Sequence, residues 1–340
     1  MSSDFESLLA QVAAGRDLSR DEATAALDAM MAGRVAEELI ATFLLALRDK
    51  GECVAEIAGA AAAMRRHMTP IRSRYERLLD TCGTGGGGSQ TFNISTAAAL
   101  VIAAAGVPVA KHGNRSVTSR SGSADVLAAL GVNIEADLAQ VERCLDEFGI
   151  CFCFAPLMHP AMRHVAAVRK RLGVRTIFNI LGPLANPARA THQLLGAGRP
   201  ELREPLAAAL VELGIERALV VSGADGLGEV TLAADTSVTE VAQGALSHRV
   251  FAPEQFGLTR QSLEAIAVAD AAESAAIVRG VLTGEPGPAR DIVVVNAAAG
   301  LLAFSACIDP LEAAARAVEA IDSGAASQLL ERLIAASHAA

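Results

Sequence analysis

The stretch RLLDTCGTGGGGSQTFNISTAAALVIAAAG, residues 77–106, decides how this chain folds. RLLDTC is an apolar run of strand length. A glycine-rich loop follows, and TFNISTAAALVIAAAG then supplies helix-forming Ala and Leu up to a stop at Gly106. Strand, loop and helix in that order form the first half of a parallel βαβ unit. Ligands of such sheets collect at the carboxyl ends of the strands, where this loop lies. Glycines let backbone N–H groups approach an anion closely, and the start of the next helix adds a favourable dipole. Asn93, Ser95 and Thr96 add side-chain donors in the first turn. A solvent loop with a polar helix cap is the plainer alternative, but the convergence of donors favours a phosphate cradle.

The same alternation continues downstream. VPVAKHG reads as a second strand, SADVLAALG and LAQVERCLDEFG as helices, and ICFCFA as a third strand. HPAMRHVAAVRKRLG reads as a helix, RALVVSG as a fourth strand, and DIVVVN as a fifth running into AAAGLLAF. EVTLAADTSVTEVAQGALSHRVF has the look of short antiparallel strands. Upstream, no strand signal precedes RLLDTC. LSRDEATAALDAMMAG opens with Ser19 three residues before Glu22, a capping box, and closes on Gly33. VAEELIATFLLALRDKG and VAEIAGAAAAMRRHM keep helical apolar spacing. The expected fold class is α/β: a small all-helical domain over residues 1–70, and a large α/β domain over 75–340 with a mostly parallel central sheet flanked by helices.

Bulk properties narrow the function. The 340 residues are 52% hydrophobic, enough for two domains, and the net charge of −9 argues against a general nucleic-acid binder. The N-terminus lacks the basic-then-apolar order of a signal peptide, and TAAALVIAAAGVPVA is too short to span a bilayer. The six cysteines form no CxxC pair, so neither a zinc site nor a disulfide framework is indicated. Cys151 and Cys153 alternate and should share one face of a buried strand. The expectation is a cytoplasmic protein with no membrane or nucleic-acid partner.

Two familiar phosphate loops fit poorly. Gly83, Gly85 and Gly88 satisfy GxGxxG, but the acid that would hold a ribose at the end of the second strand is replaced by Lys111. Gly83 and Gly88 also suit the first half of a P-loop, but Ser89 follows where Lys should stand. The second strand runs into KHGNRSVTSRSGSAD, whose cations and hydroxyls would face the glycine loop and suit a highly phosphorylated ligand. A solvated basic turn is the alternative. RHVAAVRKRLGVR gathers Arg163, Arg169, Lys170, Arg171 and Arg175, most simply a solvated basic face. One Arg aimed at a carboxylate is the functional reading, and spacing alone does not choose it. His159 and His164 read as capping or packing residues.

Together, GTGG, TFNIST, AKHGNRSVTSRSGSADVLAALG, HPAMRHVAAVRKRLGVRTIFNILGPLANPA and DGLGE resemble anthranilate phosphoribosyltransferases. These motifs occur in matching order over nearly the whole chain. Pyrimidine nucleoside phosphorylases share the GTGG and lysine-bearing loops, but KHGNR and RTIFNILGPLANP point to the anthranilate family. The resemblance implies transfer of the phosphoribosyl group of phosphoribosyl pyrophosphate to the anthranilate amine, in tryptophan biosynthesis, with Mg²⁺. It implies a cleft between the two domains, a returning segment near 165–190 that joins the helical domain, and a homodimer paired through that domain. No general acid or base is expected, since the aromatic amine is already neutral.

Residue by residue, the resemblance assigns phosphoribosyl pyrophosphate to Gly83, Gly86, Gly87, Thr91, Asn93, Ile94, Ser95 and Thr96. It adds Lys111, His112, Gly113, Asn114, Arg115, Ser116, Val117, Thr118, Ser119 and Ser123. Anthranilate falls to Gly83, Asn114, His112, Ala155, Pro156, Met162 and Arg169, the last facing the carboxylate. Metal falls to Ser95, Glu229 and position 228. Two departures stand out. Gly87 and Gly228 occupy positions where the family carries aspartates, so two carboxylates are missing from the metal and pyrophosphate end. This leaves open a repurposed or weakly active relative, or an enzyme of the nucleoside phosphorylase kind.

Overall fold

Four helices form before any strand: α1 (Ser2–Ala13), α2 (Arg20–Met31), α3 (Glu37–Lys50) and α4 (Val54–Arg66). The computed structural model describes residues 2–85, 90–116 and 120–339. The capping box at Ser19 is made, with Glu22 N–H donating to Ser19 Oγ at 3.3 Å and Ser19 N–H to Glu22 Oε2 at 2.8 Å. Phe43, Leu44, Met30 and Ile57 bury the apolar faces of these helices against each other.

The α/β part then runs β1 (Leu79–Gly83), α5 (Ile94–Ala104), β2 (Val109–Gly113), α6 (Ser123–Leu130), α7 (Leu138–Phe148) and β3 (Ile150–Phe154). Short helices α8 (Ala155–Met158), α9 (Arg163–Leu172) and α10 (Phe178–Leu181) follow. The chain continues through β4 (His192–Gly196), α11 (Arg203–Glu212), β5 (Arg217–Gly223), β6 (Thr236–Ala242) and β7 (Ala245–Phe251). It ends with α12 (Ala271–Leu282), α13 (Pro288–Ala303), α14 (Pro310–Asp322) and α15 (Ala325–His338). The seven strands form one sheet ordered β3-β2-β1-β4-β5-β6-β7. β1 to β5 are parallel, while β6 and β7 are antiparallel to their neighbours.

α5 and α13 pack on one face of the sheet, and α11 on the other. The segment from Val165 to Ala185 lies with α11 and shares a core with α1–α4, so the helical unit is tied to the sheet through that segment. No helix among the described residues is long and apolar enough to cross a membrane.

Three expectations need correction. DIVVVN is not a strand: it belongs to α13, which starts at Pro288 in the N1 position and is buried on all sides from Ile292 to Ala303. A helix that is apolar all round has no polar face to reveal its period, so its β-branched run imitates a strand. RALVVSG is the fifth strand in chain order, because β4 precedes it, a strand that the alternation does not announce. The helix read from HPAMRHVAAVRKRLG begins only at Arg163, after a 3₁₀ turn at Pro160–Met162. The proline holds His159 out of helical geometry at φ −123°, ψ 63°.

Candidate active site

Glycines end β1, β2 and β4 side by side, at Gly83, Gly113 and Gly196. Each is required by a close approach. A Cβ on Gly196 would lie 1.8 Å from the Gly228 carbonyl oxygen, and one on Gly113 would lie 2.0 Å from Ser123 Oγ. Thr84 locks the rim, its N–H donating to Gly196 O (2.9 Å) and its Oγ1 accepting from Gly198 N–H (3.0 Å). Gly86, Gly87, Val117, Thr118 and Ser119 lie outside the described residues.

Beneath this rim, Ser95, Lys111 and Glu229 converge. Lys111 is buried, and its ammonium donates to Thr81 O (2.5 Å) and to Ser95 Oγ (3.4 Å). Burial pulls Lys111 down from its ordinary pKa, opposed by Asp80, Cys82 and Glu229. Glu229 is half-buried, and burial pushes its carboxyl up to about 7, against the pull of Lys111 and of the Ser95 backbone N–H. A cavity of about 10 Å³, lined by Ser95, Glu229, Thr81, Cys82, Gly196 and Asn296 among others, opens here. The Glu229 carboxylate thus takes the place at the N-terminus of α5 where an anion is favoured.

The first turn of α5 is already largely occupied. Asn93 N–H donates to Ser274 Oγ (3.0 Å), Ile94 N–H to Phe92 O (2.8 Å) and Thr96 N–H to Asn93 O (3.1 Å). Asn93 Oδ1 accepts from Ser121 (2.6 Å) and Ser274 (2.8 Å), which joins three segments at one side chain. Ile94 and Thr96 have buried side chains. Thr91 pairs with Ala267 and fixes the entry to the helix.

The loop after β2 folds back on α6. Asn114 N–H donates to Ser123 Oγ (3.2 Å), and Asp125 Oδ2 accepts from Ser116 N–H (2.8 Å) and Gly122 N–H (2.9 Å). Asn114 and Arg115 are exposed at its tip. Arg115 leans on Asp125 (3.4 Å) and Glu135 (3.8 Å) and so points along α6.

Arg169, on α9, sits with its guanidinium 5.4 Å from the Phe178 ring centroid. Among the described residues it has neither a carboxylate nor a hydrogen-bond partner. Arg171, by contrast, pairs with Glu37 at 2.9 Å, and Arg163 donates to His164 at 3.3 Å. His112 and His159 are stacked in series behind this region. His112 Nδ1 lies 2.9 Å from Gly182 O, and its Nε2 lies 3.2 Å from His159 Nε2. The carbonyl can only accept, so His112 Nδ1 carries the proton and His159 Nε2 donates to His112. Burial keeps both rings neutral, with His159 held down to about 3. His159 is buried, and its ring is held by the bond to His112. Ala155 and Met162 are half-buried nearby in the chain, and Pro156 is exposed.

Metal donors can be tested directly. Ser95 Oγ and the Glu229 carboxylate are hard oxygen ligands on one small cavity, and burial makes the Glu229 anion costly without a cation. That suits Mg²⁺. Asp225 does not join them: its oxygens accept from Leu227 N–H (3.1 Å) and Thr231 Oγ1 (2.6 Å) inside its own turn. Gly228 offers no side chain, and its carbonyl faces Gly196.

Sequence reasoning missed Asn296, Ser274 and Asp125. Asn296 Oδ1 accepts from Val230 N–H (3.0 Å) and its Nδ2 donates to Val230 O (2.8 Å), which holds the Glu229 turn in place. A lone Asn inside an apolar run was the available signal.

Two family models match the chain: a glycosyl transferase family helical bundle domain over residues 6–68, and a glycosyl transferase family α/β domain over residues 75–327. The anthranilate phosphoribosyltransferase of Rhodopirellula baltica is 51% identical over 329 residues, covering 97% of this chain and 96% of that protein. The crystal structure of anthranilate phosphoribosyltransferase from Thermus thermophilus is similar at TM-score 0.92 and 45% identity, over 98% of this chain and 99% of that one. The Saccharomyces cerevisiae enzyme, solved in complex with PRPP and Mg, is similar at TM-score 0.89 and 30% identity, over 99% and 98%.

Proposed function

The chain belongs to the anthranilate phosphoribosyltransferase family, and from that premise we propose that it transfers the phosphoribosyl group of phosphoribosyl pyrophosphate to the amine of anthranilate. The observation that carries this reading is the convergence of Ser95, Lys111 and Glu229 at the root of the glycine loop. The amine lone pair forms the new C1–N bond while the C1–O electron pair departs with pyrophosphate. The nitrogen then gives one proton to water or to the departing pyrophosphate. Positioning and charge neutralisation supply the rate, so no proton-transfer residue is needed.

The roles divide by place. The strand-end glycines and the loop after β2 receive the phosphates, and Lys111 contributes a fixed positive charge below them. Ser95 and Glu229 would hold Mg²⁺, which when bound neutralises charge on the departing pyrophosphate. The unpaired Arg169 guanidinium takes the anthranilate carboxylate, and Asn114, Ala155, Pro156 and Met162 border the ring. His112 acts from behind, since both its ring nitrogens are engaged. Residues 1–70 with the returning segment near 165–190 form one wall of the cleft and residues 75–340 the other, and two copies pair through the helical wall.

Loss of anthranilate fluorescence on mixing with phosphoribosyl pyrophosphate and Mg²⁺ tests this. Unchanged fluorescence, with the sugar phosphate still bound, would instead identify a non-catalytic relative. Sedimentation velocity tests the pairing.

A further inference from the structure

The seams on the two sides of β1 are built differently. β1 and β4 stay in register over five residue pairs, from Leu79↔His192 to Gly83↔Gly196. β2 and β3 likewise pair from Val109↔Ile150 to Gly113↔Phe154. Between β1 and β2 only Leu79↔Val109 pairs. Beyond it the two strands stay neighbours without further ladder pairs, and their carboxyl ends carry the two loops between which the phosphates are read to lie.

The interrupted ladder leaves backbone groups that strand pairing would satisfy, and buried backbone groups must find partners. Side chains supply them. Ala110 O accepts from Asn186 Nδ2 (2.8 Å), and Thr81 O accepts from the Lys111 ammonium (2.5 Å). The His112 N–H donates to Asp80 Oδ1 (3.1 Å). Asp80 is 0% exposed, and its Oδ2 has no hydrogen-bond partner among the described residues. A buried carboxylate with one oxygen unbonded is costly, and attraction to the Lys111 ammonium offsets part of that cost.

We propose that Asp80 is a positioning residue, whose carboxylate holds the His112 backbone in place of a strand neighbour and so sets the separation of the glycine loop from the loop after β2. Asp80 acts through the main chain of β2 and touches no substrate. The inference rests on the phosphoribosyl transfer reading above.

The test compares Asp80→Ala with Asp80→Asn, which keeps an acceptor oxygen of the same reach. Asp80→Ala should raise KM for phosphoribosyl pyrophosphate about tenfold, the scale of one lost hydrogen bond to a charged group. Asp80→Asn should recover it to within about threefold of wild type. Hydrogen–deuterium exchange of the full-length protein supplies a readout independent of turnover. The peptide over residues 109–114 should lose protection in the Ala variant, or in a Leu variant if Ala does not fold, and regain it in the Asn variant. A folded Ala variant with wild-type KM and wild-type protection overturns the proposal. So does an Asn variant as impaired as Ala in both, since the charge and not the held N–H would then matter. Absence of turnover in the wild type would instead sink the functional reading, while the exchange comparison still decides the positioning.

Discussion

Two glutamates of this molecule, one buried and one half-buried, are held in opposite ways. Glu56, in the helical unit, is 1% exposed. Its oxygens accept from Leu18 N–H (3.0 Å), Cys53 N–H (2.8 Å) and the Lys50 ammonium (2.9 Å), and Lys50 also binds Asp17 at 2.6 Å. Glu229, at the root of the glycine loop, is favoured by one backbone N–H and by a lysine that donates its hydrogen bonds elsewhere, and burial leaves it at about 7. A buried acid with three donors on its two oxygens ties a fold together. One left short of donors keeps room for a cation, and strained titration of that kind gathers at functional sites.

Substitution separates the two. Glu56→Ala should destabilise the protein by roughly 2–3 kcal/mol, because it leaves the Leu18 and Cys53 N–H groups without their acceptor, while Lys50 keeps Asp17. Urea denaturation measures this, and turnover per folded molecule should not change. Glu229→Gln should do the reverse: little loss of stability, but roughly 100-fold weaker activation in a Mg²⁺ titration of the rate. Equal effects of the two changes on both measurements would erase the contrast.

The pH dependence sharpens it further. Below about pH 4.5 the Glu229 carboxyl is protonated in both folded and unfolded states. Between there and about 7 the unfolded chain releases a proton that the folded one keeps, so metal-free stability falls as pH rises, and the loss is complete above about 7. Thermal melts without Mg²⁺ should show this fall in the wild type and its absence in Glu229→Gln.

Arg169 extends the comparison to cations, since it lacks the acid partner that Arg171 finds in Glu37. Arg169→Ala should raise KM for anthranilate roughly tenfold, with the KM for phosphoribosyl pyrophosphate little changed in steady-state assays. The smallest effect belongs to Gly228→Asp. Its Cβ would meet Gly198 Cα at 3.1 Å and Gly198 N at 3.2 Å, so the turn must shift by a few tenths of an ångström. A stability loss of about 1 kcal/mol is expected. A Mg²⁺ curve identical to wild type would show that an acid at 228 cannot reach the metal.

Much of this was legible along the chain. Amphipathic helices announce themselves by period, which is why α2, α3 and α4 were read with the Ser19 capping box in place. The two loops proposed to face phosphate stand out in the sequence because glycines and donors are local signals. α13 was not, because total burial removes the polar face that defines a helical period, and β4 lay hidden in a run of turn-forming residues. Missing α13 also hid Asn296. The partners of Arg115 and Asn93 were beyond reach for a different reason. Asp125 lies ten residues from Arg115, and Ser274 lies 181 residues from Asn93.

The sequence by itself determined the order of helices and strands in most of the chain, the glycine-ended loop and the set of residues proposed to meet phosphate, carboxylate and metal. Those follow from local propensity, spacing and chemistry. Only the tertiary structure decided how they are placed: that Asp225 is used inside its own turn while Glu229 reaches Ser95, that Arg169 lacks the acid partner Arg171 finds in Glu37, and that the His112 N–H meets Asp80 where a strand bond would be. Such choices depend on which buried groups the packed chain leaves unsatisfied, and that is settled by contacts between segments far apart in sequence.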